Sequence, residues 1–397
     1  METHSFFDPL LVQRALHTSG IRSGEELPLE LDRAWPLAGG GLCALWRNED
    51  GERLWPVIRP ARDKESDLLS CAIGKREAVR LRELEGYGLL FPFDPALPQL
   101  AALSGMHDSV PVSRFGNDDR TLLRYKPLRR CVFHLGEGEE SRYVKCVRPR
   151  AVQGLAGLYR LLRSAPTLEF AAPQEVWRDF GALVWQRSPG ALLTHRLNGS
   201  YIEETIAATG RNLAALHTSA LRLPAIHERD RELETLRSWV DLVRTAFPER
   251  DLEMTRALAR LENPGRTLPT GRLLPAHRDF HDGQVLVDGS RVVFLDFDTA
   301  ALAEAELDVG NFLAHLDLRS LEQSDVSVDR LAAVFIGAYR SHGGPSLHGG
   351  RLDWYHACAL LRLASVYSFR SGGRDLSEGL LNRLFNDSDQ ALRTEVS

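Results

Sequence analysis

The segment His277-Arg278-Asp279-Phe280-His281-Asp282-Gly283-Gln284-Val285-Leu286, followed by Val292-Val293-Phe294-Leu295-Asp296-Phe297-Asp298, constrains this chain more than any other. Val285-Leu286-Val287 and Val292-Val293-Phe294-Leu295 are runs of strand formers, and the Asp288-Gly289 between them is a strong turn signal. The chain is therefore expected to fold back here as a hairpin. Facing Val287 with Val292 in antiparallel pairing sets Gln284 opposite Leu295, one residue short of Asp296. Gln284 and Asp296 then share one end of the hairpin, and Asp279 lies just upstream on a loop folding over the same place.

Three such groups suit phosphoryl transfer. A carboxylate must orient an acceptor hydroxyl and take its proton, while an amide oxygen and a second carboxylate hold Mg²⁺ against nucleotide phosphates. Asp279, Gln284 and Asp296 are the candidates in that order. Mg²⁺ prefers hard oxygen ligands, so Gln can replace Asn chemically, although its extra methylene carries the oxygen outward.

These residues resemble the aminoglycoside phosphotransferase and choline kinase family of protein-kinase-like enzymes. Its catalytic loop reads H-G-D-x-H-x-G-N, followed after a hairpin by a hydrophobic-Asp pair and a D-P-x-x-D-L type segment. The loop matches at His277, Asp279, His281 and Gly283 and departs at Arg278 and Gln284; Arg278 makes a His-Arg-Asp triplet, the form typical of protein kinases. Leu295-Asp296 supplies the pair, and Ala305-Glu306-Leu307-Asp308-Val309 the last segment, where only Asp308 carries the match. Asp308 is as well suited to anchoring the loop as to meeting a ligand.

The resemblance implies an α+β, bilobal, protein-kinase-like fold with a small β-rich N-lobe, a helical C-lobe and an N-terminal extension. The expected division is 1–115 for the extension, 116–187 for the nucleotide-binding lobe and 188–397 for the helical lobe with the acceptor site. Upstream, Thr121–Tyr125, Cys131–Leu135 and Arg142–Val147 read as a three-strand meander. Lys145 sits in its third strand, where kinase-like folds place a lysine that contacts phosphates. The connection Lys126-Pro127-Leu128-Arg129-Arg130 lacks the glycines of a phosphate-binding loop, and its cations serve either phosphate or solvent. The strand Gly181–Gln186 runs into a Pro-Gly break, and the resemblance assigns the adenine edge to Gln186, Arg187 and Ser188.

The helix after the lysine strand, Ala151–Arg163, has helical apolar spacing but no acid. A glutamate expected there to pair with Lys145 is missing, so Gln153 or Glu169 substitutes, or Lys145 is held otherwise. Further helices are expected over Tyr201–Leu221, Arg231–Leu261 with breaks at Pro248 and Pro264, Val309–Leu318, Val328–Ser341 and Trp354–Tyr367. His217 reads as a satisfied helix-end histidine. The interior Arg362 requires an acid, with Asp308 one candidate, or a ligand phosphate. In the extension, Leu42–Trp46 and Arg53–Ile58 read as a hairpin across Asn48–Gly51, followed by a helix from Lys75 to Glu85 and a proline-rich connector at Phe91–Pro98.

With 49 basic against 54 acidic side chains, no general attraction to nucleic acid or anionic membrane is expected. Five scattered cysteines without a C-x-x-C pair argue against zinc and a disulfide framework and point to a reducing cytoplasm. No leader or membrane span is legible. The expected activity is transfer of the γ-phosphoryl of ATP or GTP, with Mg²⁺, to a hydroxyl of a sugar, aminosugar or amino alcohol. Two alternatives stand beside it: a kinase acting on Ser or Thr of a peptide, and a weakly catalytic, nucleotide-dependent binding module.

Overall fold

The computed structural model describes residues 6–20, 28–37, 39–48, 53–61, 63–105, 119–323 and 325–394. The extension begins with α1 (Pro9–Thr18), whose first turn is capped by the Asp8 carboxylate accepting from Leu10 and Leu11 amides. Five strands follow, β1 (Leu29–Pro36), β2 (Leu42–Asn48), β3 (Leu54–Arg59), β4 (Ala78–Leu81) and β5 (Gly86–Leu89), in the order β1-β2-β3-β5-β4. The expected hairpin is present, with Trp46 facing Trp55; most of its turn lies outside the described residues.

The helix expected over Lys75–Glu85 is not formed. The helix of this region, α2, spans Asp63–Gly74, and the later residues form β4 and a tight turn into β5. Charged, helix-favouring residues are overridden by sheet pairing here: Glu85 adopts φ 50°, and a side chain at Gly86 would meet the Ile58 carbonyl. The short α3 (Gln99–Leu103) closes the extension.

The second five-stranded sheet contains β6 (Arg120–Lys126), β7 (Arg130–Leu135), β8 (Arg142–Val147), β9 (Glu175–Trp177) and β10 (Ala182–Gln186), ordered β6-β7-β8-β10-β9. The expected meander is β6-β7-β8. Between β8 and β9 lies α4 (Pro149–Leu162), burying Val152, Ala156, Tyr159 and Leu162 at helical spacing.

The helical part starts after the short β11 (Ala191–Leu192). It contains α5 (Ile202–Thr218), α6 (Arg229–Ala246) and α7 (Asp251–Thr267), then β12 (Leu273–Ala276), the hairpin β13 (Val285–Asp288) and β14 (Arg291–Phe294), and β15 (Ala301–Glu304). Helices α8 (Ala305–Glu322), α9 (Val328–Ser341), α10 (Gly349–Tyr367) and α11 (Arg374–Thr394) complete it. Pro248 breaks the chain as expected, but Pro264 lies inside α7. With no N–H, Pro264 forgoes the ladder bond to the Arg260 carbonyl, and the helix runs only one further turn beyond it.

Gly190 (φ 108°) brings the chain leaving the second sheet so close to β13 that a Cβ would collide with the Val287 carbonyl. The extension is fastened to the helical part, because Trp46, Trp55 and Leu29 share one core with Leu360, Tyr367 and Phe369. Its opposite side packs on the second sheet through Leu45, Leu97 and Leu100 against Phe133 and Val144. Among the described residues no helix is long and apolar enough to cross a membrane.

Candidate active site

The hairpin pairs in the expected register, Val287 with Val292 and Val285 with Phe294, and Leu295 donates its amide to the Gln284 carbonyl. Gln284 and Asp296 therefore end the hairpin side by side. The loop carrying Asp279 enters from β12 and is fixed by α8. Both carboxylate oxygens of the fully buried Asp308 accept main-chain bonds, from His277 N and Arg278 N at 2.7 Å each, and Asn311 Nδ2 donates to the Phe280 carbonyl at 2.7 Å. Three hydrogen bonds from two residues one helical turn apart, Asp308 and Asn311, hold the loop against a single helix. Arg278 needs this grip, since it adopts φ 71°, a region unfavourable to side chains other than glycine.

His277 ties the two halves together. Its Nε2 donates to the Leu295 carbonyl at 2.7 Å, the residue before Asp296, and its ring lies 4.5 Å from that of Phe297. Asp279 is half-buried. Burial pushes its carboxyl up, but His281, Arg362 and His277 outweigh this and hold it below the ordinary value, while the Asp296 charge works the other way. Asp279 is thus ionised at neutral pH and close enough to Asp296 to feel it.

Lys145 arrives from β8. Its Nζ lies 2.7 Å from Asp296 Oδ1 and 2.6 Å from Asp298 Oδ2, with Arg130 Nη1 3.3 Å from Asp296 Oδ2. Burial raises the Asp296 carboxyl, yet Lys145 and Arg130 dominate and hold it far below the usual range. For Asp298, burial and the adjoining Asp296 charge win over Lys145 and leave the carboxyl above its ordinary value. Tyr159 of α4 accepts from Phe297 N at 3.2 Å and donates to Asp298 Oδ1 at 3.4 Å.

Asp298 and Tyr159 were not singled out from the sequence. The missing helix glutamate was the available signal, because a buried lysine without its usual acid demands another. Neither Gln153 nor Glu169 is that partner: Gln153 is exposed, and Glu169 pairs with Arg291 at 2.6 Å. Arg362 likewise takes Glu232 at 3.2 Å and Asn311 Oδ1 at 2.5 Å rather than Asp308. His217 is fully buried between Tyr339 and Asp308, as its structural reading requires.

Of the basic turn between β6 and β7, Arg130 reaches the carboxylates, while Leu128 (φ 58°) sits at the bend. The buried Asp94 of the proline-rich connector shapes this bend by accepting from Leu128 N at 2.7 Å and Tyr125 Oη at 2.9 Å. Gln186, Arg187 and Ser188 are exposed at the end of β10. The amides of Gln186 and Arg187 already donate, to Gln174 Oε1 at 2.8 Å and to the Ser141 carbonyl at 2.9 Å, so contact with a base at those two residues falls to their carbonyls.

The donor set fits a hard divalent cation. Asp296 is ionised, its neighbour Gln284 carries an amide oxygen, and Asp298 adds a third oxygen group two residues on. The cations bonded to Asp296 leave acceptor capacity on both of its oxygens.

The model of the phosphotransferase enzyme family, APH, matches residues 129–346. The chain belongs to this family. Solved structures agree in fold with this phosphotransferase family member. Choline kinase from Cryptosporidium parvum Iowa II superposes with a TM-score of 0.52 at 11% identity, covering 75% of this chain and 97% of that one. A thermostable mutant of aminoglycoside phosphotransferase APH(4)-Ia, in ternary complex with AMP-PNP and hygromycin B, gives 0.51 at 16% identity, covering 70% and 96%. A choline/ethanolamine kinase family protein from Mesorhizobium loti gives 0.50 at 16% identity, covering 72% and 93%. The fold is therefore α+β and kinase-like, with β-sheets ahead of a helical C-terminal part. No curated protein matches the sequence.

Proposed function

We propose that this phosphotransferase moves the γ-phosphoryl of ATP or GTP to a hydroxyl of a small polar acceptor, a sugar, aminosugar or amino alcohol. Residues 1–115 form the extension, 116–187 the nucleotide-binding lobe and 188–397 the helical lobe with the acceptor site, the first boundary lying outside the described residues. The observation that carries this reading is the joining of the Asp279 loop to the Asp296 strand end through His277, directly facing Lys145.

Asp279, held ionised, orients the acceptor hydroxyl and takes its proton as the new O–P bond forms and the nucleoside diphosphate leaves with the old bridging oxygen. Lys145 and Arg130 bind the nucleotide's phosphate oxygens, exchanging carboxylate partners for phosphate. Gln186, Arg187 and Ser188 border the base. Gln284 and Asp296 hold Mg²⁺, with Asp298 as a further oxygen ligand or as the acid that keeps Lys145 in place. The ion, when bound, neutralises charge on the transferring phosphate. The two carboxylates beside Lys145 remove one ground for a nucleotide-sensing module, since the lysine is anchored without a helix glutamate.

The test is ATP consumption with Mg²⁺ across sugars, aminosugars and amino alcohols, for the wild type and Asp279→Asn. The variant should lose about 10³-fold or more in turnover, within the range of a general base, while its affinity for AMP-PNP stays within a few-fold. Undiminished turnover in Asp279→Asn would refute the assignment.

A further inference from the structure

Helix α8 addresses the loop 277–282 with one face. Asp308, Asn311, His315 and Arg319 follow one another at steps of three and four residues, the spacing that keeps side chains on one side of a helix. Their partners come in chain order along the loop: Asp308 accepts from the His277 and Arg278 amides, Asn311 donates to the Phe280 carbonyl, and Arg319 Nε donates to Asp282 Oδ2 at 2.7 Å. His315 breaks the series. Its Nδ1 lies 3.5 Å from Asp282 Oδ1, beyond hydrogen-bond length, and both atoms are buried with no hydrogen-bond partner among the described residues.

His281 faces the same oxygen. Its Nδ1 lies 3.6 Å from Asp282 Oδ1, and its ring is stacked on that of His315, 4.2 Å away and 12° from parallel. One donor atom from each of His281, Asp282 and His315 lies within 4.8 Å of the other two. A zinc-type ion about 2.0–2.2 Å from nitrogen and oxygen ligands in tetrahedral array sets those ligands about 3.4 Å apart, close to both separations from Oδ1. The carboxylate is already oriented for this, because Thr194 Oγ1 at 2.9 Å and Arg319 occupy Oδ2 and leave Oδ1 turned to the imidazoles.

Each ligand also stands in the state a cation needs. Burial raises the Asp282 carboxyl, but the two imidazoles and Arg319 outweigh it and hold it well below the ordinary value, so it is an anion. Burial pushes His315 down to about 4, leaving a neutral ring at neutral pH. His281 Nδ1 accepts from Gly283 N at 3.0 Å, so that nitrogen carries the lone pair and Nε2 the proton. Coordination takes over this lone pair from the amide, and the soft Cβ–Cγ torsion of histidine lets both rings turn from stacking towards Oδ1. Arg319 also pairs with Glu322, so two carboxylates against one guanidinium leave a net negative charge for the ion.

We propose that His281, Asp282 and His315 form a second metal site, separate from Gln284 and Asp296, which takes a divalent transition metal of the zinc type and clamps the Asp279 loop to α8. Imidazole nitrogens favour such ions over Mg²⁺, whereas the all-oxygen pair suits Mg²⁺. No cysteine takes part, so the lack of C-x-x-C pairs in the sequence does not bear on this site. Three protein ligands leave a fourth position open to water. The ion supplies the contact that His315 lacks and fastens the loop at the opposite end of the series from Asp308. The site does not depend on the reaction assigned to Asp279.

The test is calorimetric titration of the chelator-stripped full chain with Zn²⁺ in buffer holding saturating Mg²⁺, which fills the oxygen site. Zn²⁺ should bind at one ion per chain and raise the melting temperature. Thr194→Val, which removes only a bond orienting Asp282, should weaken binding by about 10-fold, and His281→Gln and His315→Gln by about 100-fold or more. Gln284→Ala should bind Zn²⁺ as the wild type does. Co²⁺ in place of Zn²⁺ should show the visible absorption of a four-coordinate ion, lost in both histidine variants. The melting temperature without metal reports whether each variant folds, and His281→Gln, at a half-buried ring, carries the test should the buried His315 position not tolerate glutamine. Zn²⁺ that fails to bind beside Mg²⁺, that binds the folded histidine variants as tightly as the wild type, or that is lost with Gln284→Ala instead would overturn the proposal.

Discussion

Removing the Asp308 carboxylate tests whether α8 positions the Asp279 loop. Asp308 is fully buried and accepts three hydrogen bonds, from His277 N and Arg278 N at 2.7 Å and from His217 Nε2 at 3.1 Å. Burial raises its carboxyl, but His217, His277 and the main-chain bond prevail and hold it below the ordinary value, so it acts as an anion. A hydrogen bond to a charged group is worth about 1.5–3 kcal/mol, and a buried donor left unsatisfied costs about 1–3 kcal/mol. Two stranded amides and one imidazole, allowing for non-additivity, put Asp308→Ala at roughly 3–6 kcal/mol. Asp308→Asn retains one acceptor oxygen and should lose about half as much. Thermal melting should therefore fall by roughly 10 °C for the alanine variant. Hydrogen exchange of the His277 and Arg278 amides should accelerate by about 10²-fold or more, because these are the donors released. AMP-PNP affinity should change little, since Lys145 and the end of β10 are not anchored by Asp308. Alanine-variant amides as protected as those of the wild type would show that the loop holds its shape without α8.

Asp298→Asn should weaken binding of AMP-PNP with Mg²⁺ by about 10-fold or more, and Tyr159→Phe by a few-fold, measured by fluorescence titration; equal affinities in all three proteins would remove Asp298 as the lysine's anchor. Burial, with His281 nearby, pushes His315 down to about 4 against the pull of Asp282, while Arg319 reinforces the fall. Below the unfolded value of about 6.5 only the unfolded chain takes the proton, so this site should cost roughly 3 kcal/mol as pH falls from there to about 4. Denaturant melts from pH 7 to 4 should show that slope, and His315→Gln should flatten it. Asp94→Ala strips acceptors from Leu128 N, Ala96 N and Tyr125 Oη and should lower stability by roughly 2–5 kcal/mol, with a matching loss of nucleotide affinity as the turn near Arg130 relaxes.

Legibility followed the range of the interactions. The hairpin register was readable because one Asp-Gly turn and two apolar runs determine it within a few residues. Helices α5, α9 and α10 were readable because their apolar spacing repeats over several turns. Helix α2 was misplaced because strand β4 exists only through its pairing with β5. Asp298 and Tyr159 escaped notice because their partner Lys145, or the loop they steady, belongs to a distant part of the chain. Asp94 looked like one residue of a rigid connector, and its buried role depends on the bend at Leu128.

The shift of the lysine's acid from helix to strand end has a mechanical consequence. A glutamate on α4 would make the Lys145 ion pair depend on where that helix sits. Here both acids, Asp296 and Asp298, lie on one short segment at the strand end, so the ion pair and the metal site proposed at Asp296 would be built on one piece of backbone. Helix α4 touches this segment through the Tyr159 hydroxyl, 3.2 Å from Phe297 N and 3.4 Å from Asp298 Oδ1, and through a core it shares with Phe297. A hydrogen bond to a charged group contributes about 1.5–3 kcal/mol, whereas breaking a buried ion pair costs about 3–5 kcal/mol. Displacing α4 should therefore weaken this site rather than dismantle it, and regulation through that helix would have little leverage in this chain.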